Sequence, residues 1–453
     1  MTRQWCGILT AALVLCASQA FSRTDTAAVR GDRMVLTLDK AIALALEQNR
    51  DVMVAEQERY RSEAQINEAW SGALPQIGIS GQYIRNIKPQ VLFLPPNNVF
   101  NPTDQTEVFT LGASNAYSLG ASIAQPLYNR KVGVALDIAH TYRDYTGEAY
   151  RATTQDVTLA VKRAYYGVLL CAKLVEANRQ GLDVVRANCE NIRSQYNHGN
   201  AAEYDLLRAE VELANTEPGL ISAENNLLLA RNALKTLLAI PLETDVEVSG
   251  EFTFEEVAPR VLEETRRDAI ANNPVVAGLK LRESLLEMKI SIERADYFPS
   301  LSLFGSYQTQ SQDNTFNFNR YLWANSLSVG LQLSYTIFNG FATGARAEQA
   351  SIDHVEARYM RLKAEEGLSV QVQSAELKMA EAKKRIEGQQ KNIEQAEKAV
   401  HIAQTRYRSG VGTQLELLDS QVAMTRAQTN YALAIYDFLV AKADWTNAAG
   451  LAR

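Results

Sequence analysis

Two periods alternate along the chain. Four segments of about 11 residues alternate apolar and polar positions with period two, the pattern of a strand with one apolar and one polar face. The cleanest sets Leu327, Val329, Leu331, Leu333 and Tyr335 against Ser326, Ser328, Gly330, Gln332 and Ser334. A second sets Tyr117, Leu119, Ala121 and Ile123 against Ser118, Gly120, Ser122 and Ala124, and two more centre on Ile77 and Leu301. Phe304 interrupts the polar side of the Leu301 segment. Strands are therefore predicted at about 76–86, 117–127, 300–310 and 326–336. A half-buried sheet on a soluble core fits this alternation. So does a bilayer-crossing strand, which needs about 9–11 tilted residues with small polar side chains toward water and apolar ones toward lipid.

Between the strand pairs the period lengthens. Val157, Val161, Ala164, Val168, Cys171, Val175, Asn178, Leu182, Val185, Cys189, Ile192 and Tyr196 step by three and four, a heptad seam of about 40 residues. Val372, Ala375, Met379, Ala382, Ile386, Ile393, Ala396, Val400, Ala403 and Tyr407 keep the same beat, with polar Gln389 as the one interruption. A helix from Lys131 to His198 has 68 residues and is about 100 Å long, more than three bilayer cores. Shorter helices predicted at Val52–Ala73 and Ala202–Leu238 would nearly match that length when stacked end to end. The expected fold is mainly α with β.

The chain is also an internal duplication. Leu74-Pro75-Gln76-Ile77 with Gly81 and Tyr83 reappears as Phe298-Pro299-Ser300-Leu301 with Gly305 and Tyr307, an offset of 224 that also relates Asn49 to Asn273. Leu127-Tyr128-Asn129 reappears as Ile337-Phe338-Asn339 at 210, and Tyr196-Asn197-His198-Gly199 as Tyr407-Arg408-Ser409-Gly410 at 211. The offset falls because residues 88–116 correspond to the shorter 311–325. A first repeat is expected over 36–240 and a second over 261–450. An acidic connector over 241–260, opened by Pro241 and with Pro259 near its end, would hold at most one short strand.

Residues 1–20 read as an export signal: Arg3, an apolar run from Trp5 to Cys16, and small residues Ser18 and Ala20 before the cleavage point. Cys16 follows Leu15, where a lipoprotein site has a small residue, so lipidation is not expected. Processing leaves Cys171 and Cys189, 18 residues apart on one helix. That separation, about 27 Å, forbids an intrachain disulfide. Hydrophobic residues make up 46% of the chain, charged residues 22%, and the net charge is -6, a globular composition with no general attraction for nucleic acid. His140, His198, His354 and His401 are scattered without metal-ligand spacing. No nucleophile elbow or phosphate loop occurs, and Gly410-x-Gly412 lacks the third glycine of a dinucleotide site. No catalytic, cofactor or metal residues are expected, and the chain is not read as an enzyme.

The order helix, strand pair, long helix, tip, helix, repeated twice, resembles the TolC-like outer membrane efflux protein family from about Leu36 to the end. The resemblance rests on the Tyr-x-x-Gly tips with Asp205-Leu206-Leu207 and Glu416-Leu417-Leu418 beginning six residues after each glycine. It rests also on the Leu74-Pro75 and Phe298-Pro299 strand entries and on Asn273-Pro274. It implies four transmembrane strands per protomer, a homotrimer closing a 12-stranded barrel in outer membrane lipid, and a coiled-coil helical barrel across the periplasm. It further implies the passive exit duct of a tripartite efflux or type I secretion system, whose partners are a periplasmic adaptor (membrane fusion) protein and an inner-membrane transporter. Strand counting alone requires only some oligomer, because four strands cannot close a membrane barrel. The rival reading is a periplasmic or surface coiled-coil scaffold whose strands form a water-soluble sheet.

Gly199 and Gly410 fall where each long helix must reverse, a position suited to the left-handed conformation of a helix stop. The resemblance adds adaptor contact at Tyr196, Gly199, Tyr407 and Gly410. It also implies a pore constriction lined by Glu416 and Asp419, with Asp205 as a third acid, although any one of these would also stabilise a helix N-terminus. The family's basic residue two positions after the second tip glycine is replaced here by Gly412, leaving Arg408 or Arg208 as candidate substitutes for the lock.

Overall fold

The duplication is visible at two buried asparagines. A computed structural model describes residues 34–255 and 257–451; the expected signal at 1–20 lies outside them. The chain opens with strand β1 (Met34–Leu36), α1 (Leu38–Gln48) and α2 (Arg50–Ser71). Strands β2 (Gln76–Arg85), β3 (Gln90–Leu94), β4 (Glu107–Leu111) and β5 (Asn115–Tyr128) follow, then helices α3 (Arg130–Asn197) and α4 (Glu203–Leu237). The short β6 (Val246–Val248) leads to α5 (Pro259–Asn272), α6 (Pro274–Arg294), β7 (Ser300–Asp313), β8 (Ala324–Ser334), α7 (Ala342–Arg408) and α8 (Gln414–Ala448). Asn49 caps α2, its Oδ1 accepting from the Asp51 amide at 2.9 Å while its Nδ2 donates to the Leu237 carbonyl at 2.9 Å. Asn273 caps α6, accepting from the Val275 amide at 2.9 Å and donating to the Ala448 carbonyl at 3.1 Å. One side chain thus satisfies an orphan group at the start of one helix and another at the end of its partner.

The helix seams pack as their period requires. In each copy two shorter helices, α2 and α4 or α6 and α8, lie along one long helix, and α3 also meets α6 and α8 to join the copies. One core gathers Leu36, Ala41, Val161, Tyr165, Val168, Leu234 and Leu238; the other gathers Val372, Met379, Ala382, Ile386, Ala434, Phe438 and Trp445. The connector lies against both: Phe252 packs on each cluster, and Phe254 meets Phe438 edge-on at 4.6 Å between centroids. Its short strand β6 pairs in parallel with β1, from Met34 beside Val246 to Leu36 beside Val248. Cys171 is half-buried and Cys189 buried, both unpaired, and burial pushes the Cys171 thiol pKa up, away from reactivity.

The four alternating segments form one antiparallel sheet in the order β2-β5-β7-β8. The register aligns the apolar positions across all four strands. Ile79 faces Ala121, Ala121 faces Tyr307, and Tyr307 faces Leu327; on the neighbouring rung Ile77, Ile123, Gly305 and Val329 align. The opposite face carries Ser80, Gln82, Ser118, Ser122, Ser306, Ser328 and Gln332, with the Ser306 and Ser328 hydroxyls 2.7 Å apart. Phe304 belongs to this polar face and lies directly opposite Gly330. Its ring fills the glycine's place: a Cβ on Gly330 would lie 2.9 Å from Phe304 Cζ. The aromatic that broke the pattern covers a gap in the neighbouring strand, which is why the site tolerates it.

Two corrections concern the outer end. β5 and β7 each run 14 residues: at the end away from the helices β5 begins at Asn115 and β7 continues to Asp313, past the expected limits of 117 and 310, and at the helical end β5 runs one residue further, to Tyr128. Residues 88–116, the longer of the two corresponding inter-strand segments, carry a separate two-stranded ribbon, β3 paired with β4. Val91, Leu92, Phe93 and Leu94 are consecutive apolar residues, so the ribbon has no period-two signature.

The Phe304 and Gly330 pair predicts a coupled mutant cycle. Gly330→Ala alone should lower the temperature at which the folded protein converts to its unfolded gel mobility. In a Phe304→Ala background the same change should be nearly neutral, a coupling of about 0.5–3 kcal/mol.

Candidate pore and periplasmic entrance

The apolar face of the sheet has no partner layer. Ile79, Leu327 and Val329 expose 86%, 76% and 71% of their surfaces, where a soluble half-buried sheet would have them covered. Aromatic side chains frame the strip. Tyr83 stacks on Tyr117 at 4.9 Å, and Tyr117 meets Tyr321 at 5.3 Å, at the end nearest the ribbon. Tyr128, Phe298, Tyr335 and Phe338 are exposed at the helical end, where the Arg130 guanidinium lies 4.4 Å from the Phe298 ring centre. From Tyr117 to Tyr128 the strand runs about 37 Å, or about 28 Å along the membrane normal at a 40° tilt, enough to span a hydrocarbon core. Among the described residues no helix is long and apolar enough to cross a membrane.

At the opposite end each helical hairpin turns on a left-handed glycine. Gly199 has φ +76° and Gly410 φ +77°. The Gly199 amide donates to the Tyr196 carbonyl at 2.9 Å and the Asn200 amide to the Gln195 carbonyl at 2.8 Å, consuming the carbonyls that α3 leaves free. In the second tip Gly410 donates to the Tyr407 carbonyl at 3.1 Å, while Val411 and Gly412 both donate to the Arg406 carbonyl, at 3.1 and 3.0 Å. Gly412 lies so close beneath the helix end that a Cβ there would sit 2.9 Å from Arg406 Cβ and 3.0 Å from the Tyr407 nitrogen. This turn leaves no room for a basic side chain at that position.

The expected acids are distributed unequally. Glu416 and Asp419, one helical turn apart on α8, are both exposed and share a face. Thr413 caps the helix, its Oγ1 accepting from the Glu416 amide at 3.2 Å. Glu416 Oε2 lies 3.7 Å from Arg406 Nη2. Among the described residues Arg408 and Arg208 make no ion pair, so the basic partner on this tip is Arg406, which the motif comparison overlooked. Asp205 is half-buried on α4 and its charge acts on Tyr407, whose phenol pKa is pushed up by burial and then by Asp205. The two hairpin tips therefore adjoin. Tyr196 is exposed and Tyr407 half-buried.

The two hairpins are fastened differently. Across α3 and α4, Arg179 pairs with Glu224 at 2.8 Å, Arg186 with Glu217 at 3.4 Å and Arg193 with Glu210 at 2.8 Å, a ladder with seven-residue rungs. The corresponding positions in α7 and α8 are Gln390 with Ile435, Glu397 with Gln428 and Gln404 with Gln421, so no rung can form. An ion pair does cross α7 and α8 away from the tip, between Arg385 and Asp437. Near the tip, Gln414 is buried with neither amide atom bonded, and Gln421 Oε1 is likewise unpaired. Such groups cost about 1–3 kcal/mol each. The two seven-residue spacings of Arg and Glu were present in the sequence as the signal for the ladder.

The comparisons with known proteins agree with this geometry. The sequence pattern of the outer membrane efflux protein family matches residues 41–239 and 265–451. The chain is 26% identical over 332 residues to the alkaline protease secretion protein AprF of Pseudomonas aeruginosa, covering 72% of this chain and 68% of that protein. It is 23% identical over 384 residues to the outer membrane protein TolC of Vibrio cholerae, covering 83% and 82%. Among solved structures, the Campylobacter jejuni CmeC outer membrane channel shares the fold with a TM-score of 0.75 at 16% identity, over 91% of this chain and 85% of that one. The lipid-length apolar strip, the duplicated helical hairpins and the family match converge: this chain belongs to the outer membrane efflux protein family.

Proposed function

We propose that three copies of this chain form a passive duct through which cargo leaves the cell, crossing the periplasm inside the helices and the outer membrane inside the sheet. The observation that carries this reading is the open sheet. Strands β2 and β8 are its edges, and unpaired backbone groups are not tolerated in hydrocarbon. Pairing β8 of one copy with β2 of the next satisfies both, and three copies give 12 strands. The serine and glutamine face then lines water, as in other membrane barrels. The protein performs no chemistry in this reading; the driving force comes from an inner-membrane transporter reached through a periplasmic adaptor that seats on the tips around Tyr196, Gly199, Tyr407 and Gly410. Relatives named for protease secretion and for toluene efflux support an export role whose cargo is chosen by those partners.

Glu416 and Asp419, with Asp205 as a weaker contributor, form the acid ring at the periplasmic entrance. Three copies bring at least six carboxylates together, which attracts cations and repels anions. The α7 and α8 tip is the part that moves to admit cargo. It lacks the Arg–Glu ladder that fastens α3 and α4, and it carries the unbonded amide of Gln414 and the unpaired Oε1 of Gln421, so it opens at lower cost.

Purified protein in detergent should have the mass of a trimer and give discrete openings in a planar lipid bilayer; a water-soluble species without conductance would return the strands to a scaffold sheet. Glu416→Gln with Asp419→Asn should reduce cation over anion selectivity without preventing assembly, and an unchanged reversal potential under a salt gradient would remove the acid ring. Gln404→Arg with Gln421→Glu, which copies the Arg193–Glu210 rung into the second hairpin, should lower open probability. The effect should shrink as salt rises and screens the new pair.

A further inference from the structure

The ribbon β3–β4 carries an exposed apolar surface outside the lipid-facing strip. It pairs with nothing else: β3 and β4 form a two-stranded sheet of their own. Both of its faces are apolar, because Leu92 lies beside Phe109 on one and Phe93 beside Val108 on the other, and all four side chains are exposed. A bare two-stranded ribbon of this kind is marginally stable in water, so its apolar faces call for a cover.

The turn that joins the strands is built to hold a shape. Asn101 is fully buried, and its Nδ2 donates to the carbonyls of Leu94 at 3.1 Å and Gln105 at 2.8 Å while its Oδ1 accepts from the Thr103 amide at 3.2 Å. Asn98 ties the same turn, donating to the Pro95 carbonyl at 2.7 Å and accepting from the Phe100 amide at 2.8 Å. This bracing holds Val99 and Phe100 at the apex with 95% and 81% of their surfaces exposed. An ordered turn that presents two apolar side chains is preorganised for contact.

We infer that the ribbons of three copies converge over the outer mouth and bury Val99 and Phe100 against one another, forming an apolar constriction at the exit. This rests on the trimeric channel proposed above. The occupant is the same ribbon of the neighbouring copies, for three reasons. The ribbon springs from the β2–β5 hairpin, and β2 is the edge strand that must join the next copy, so its base lies at the seam between protomers. Twelve strands at about 4.8 Å spacing and 40° tilt give a barrel radius of about 12 Å, while each ribbon strand is about 17 Å long, enough to reach the axis. Asp104 and Glu107 flank the turn and disfavour the alternative of lying on a surface of anionic lipid headgroups. The second repeat has only residues 311–325 at the matching place, so each copy contributes one ribbon. A narrow apolar ring impedes ions by excluding water.

The test uses the full trimer. Phe100→Cys, treated with a short bis-maleimide, should give covalently linked dimers and trimers on a denaturing gel, whereas Cys171 and Cys189 in the unsubstituted chain should give none. Val99→Asp with Phe100→Asp should raise single-channel conductance about twofold or more by wetting the ring. Replacement of residues 89–112 by a tight turn should do the same and guards against local misfolding of the double variant. Trimeric channels that neither cross-link at position 100 nor change conductance in either variant would overturn the inference while leaving the channel reading intact. Contact quenching of a label at position 100 by a lipid-borne quencher would also overturn it, placing the ribbon in the membrane. Loss of both trimer and conductance in the unsubstituted chain would defeat the channel reading and this inference together.

Discussion

Hydrogen bonding of the backbone inside hydrocarbon is the constraint on which the rest of the architecture depends. A strand in lipid has no water to satisfy its free edge, and this chain supplies four strands with two free edges, β2 and β8. The protein cannot complete its own membrane domain, so assembly and membrane residence are one requirement. The same constraint explains the sheet's composition. Its lipid-facing rungs, from Ile77 to Leu333, are apolar apart from Gln125, Asn325 and glycine, alanine and threonine positions, while its opposite face is mostly small and polar. Phe304 over Gly330 is the one inward aromatic, and it fills a gap left by the neighbouring strand.

The helical body obeys a second, softer constraint: each buried helix end must find partners for its backbone. The two copies solve this identically at Asn49 and Asn273, each joining a helix start to the end of the returning helix. At the end of α4 Ala239 takes a left-handed conformation with φ +53°, and at the matching end of α8 Gly450 does so with φ +70°. Where the body is shared between copies, the extremities have diverged. Only the first hairpin carries the Arg–Glu ladder, and only the first strand pair carries a ribbon. Divergence at both ends of a duct, with the middle kept, separates the parts that meet cargo and partners from the parts that hold the shape.

The membrane strands, the long helices, the duplication and the tip glycines were legible because each depends on short-range order. Period two and the heptad are properties of neighbouring residues, and a left-handed helix stop needs only a glycine at the right place. Two features carried no such short-range signal. The ribbon is apolar on both faces, so it has no alternation to detect, and Arg406 lies outside the position where a motif places the basic residue. Gly412 was noticed as a departure, but that its missing side chain leaves room for the helix end became visible only from the distances to Arg406 and Tyr407.

The sequence by itself therefore determined the four strands of the main sheet and the long helices, which face of each is apolar, and that the unit is repeated. Tertiary structure alone decided which charges meet across a hairpin, which rungs of the sheet align, that the charge of Asp205 acts on Tyr407, and that Asn101 is buried inside an outer turn. The physical reason is that periodicity fixes direction, whereas pairing depends on register. Arg193 meets Glu210 because two helices lie side by side with one particular stagger, and a shift of one residue along either would move each charge about 100° around its helix and away from its partner.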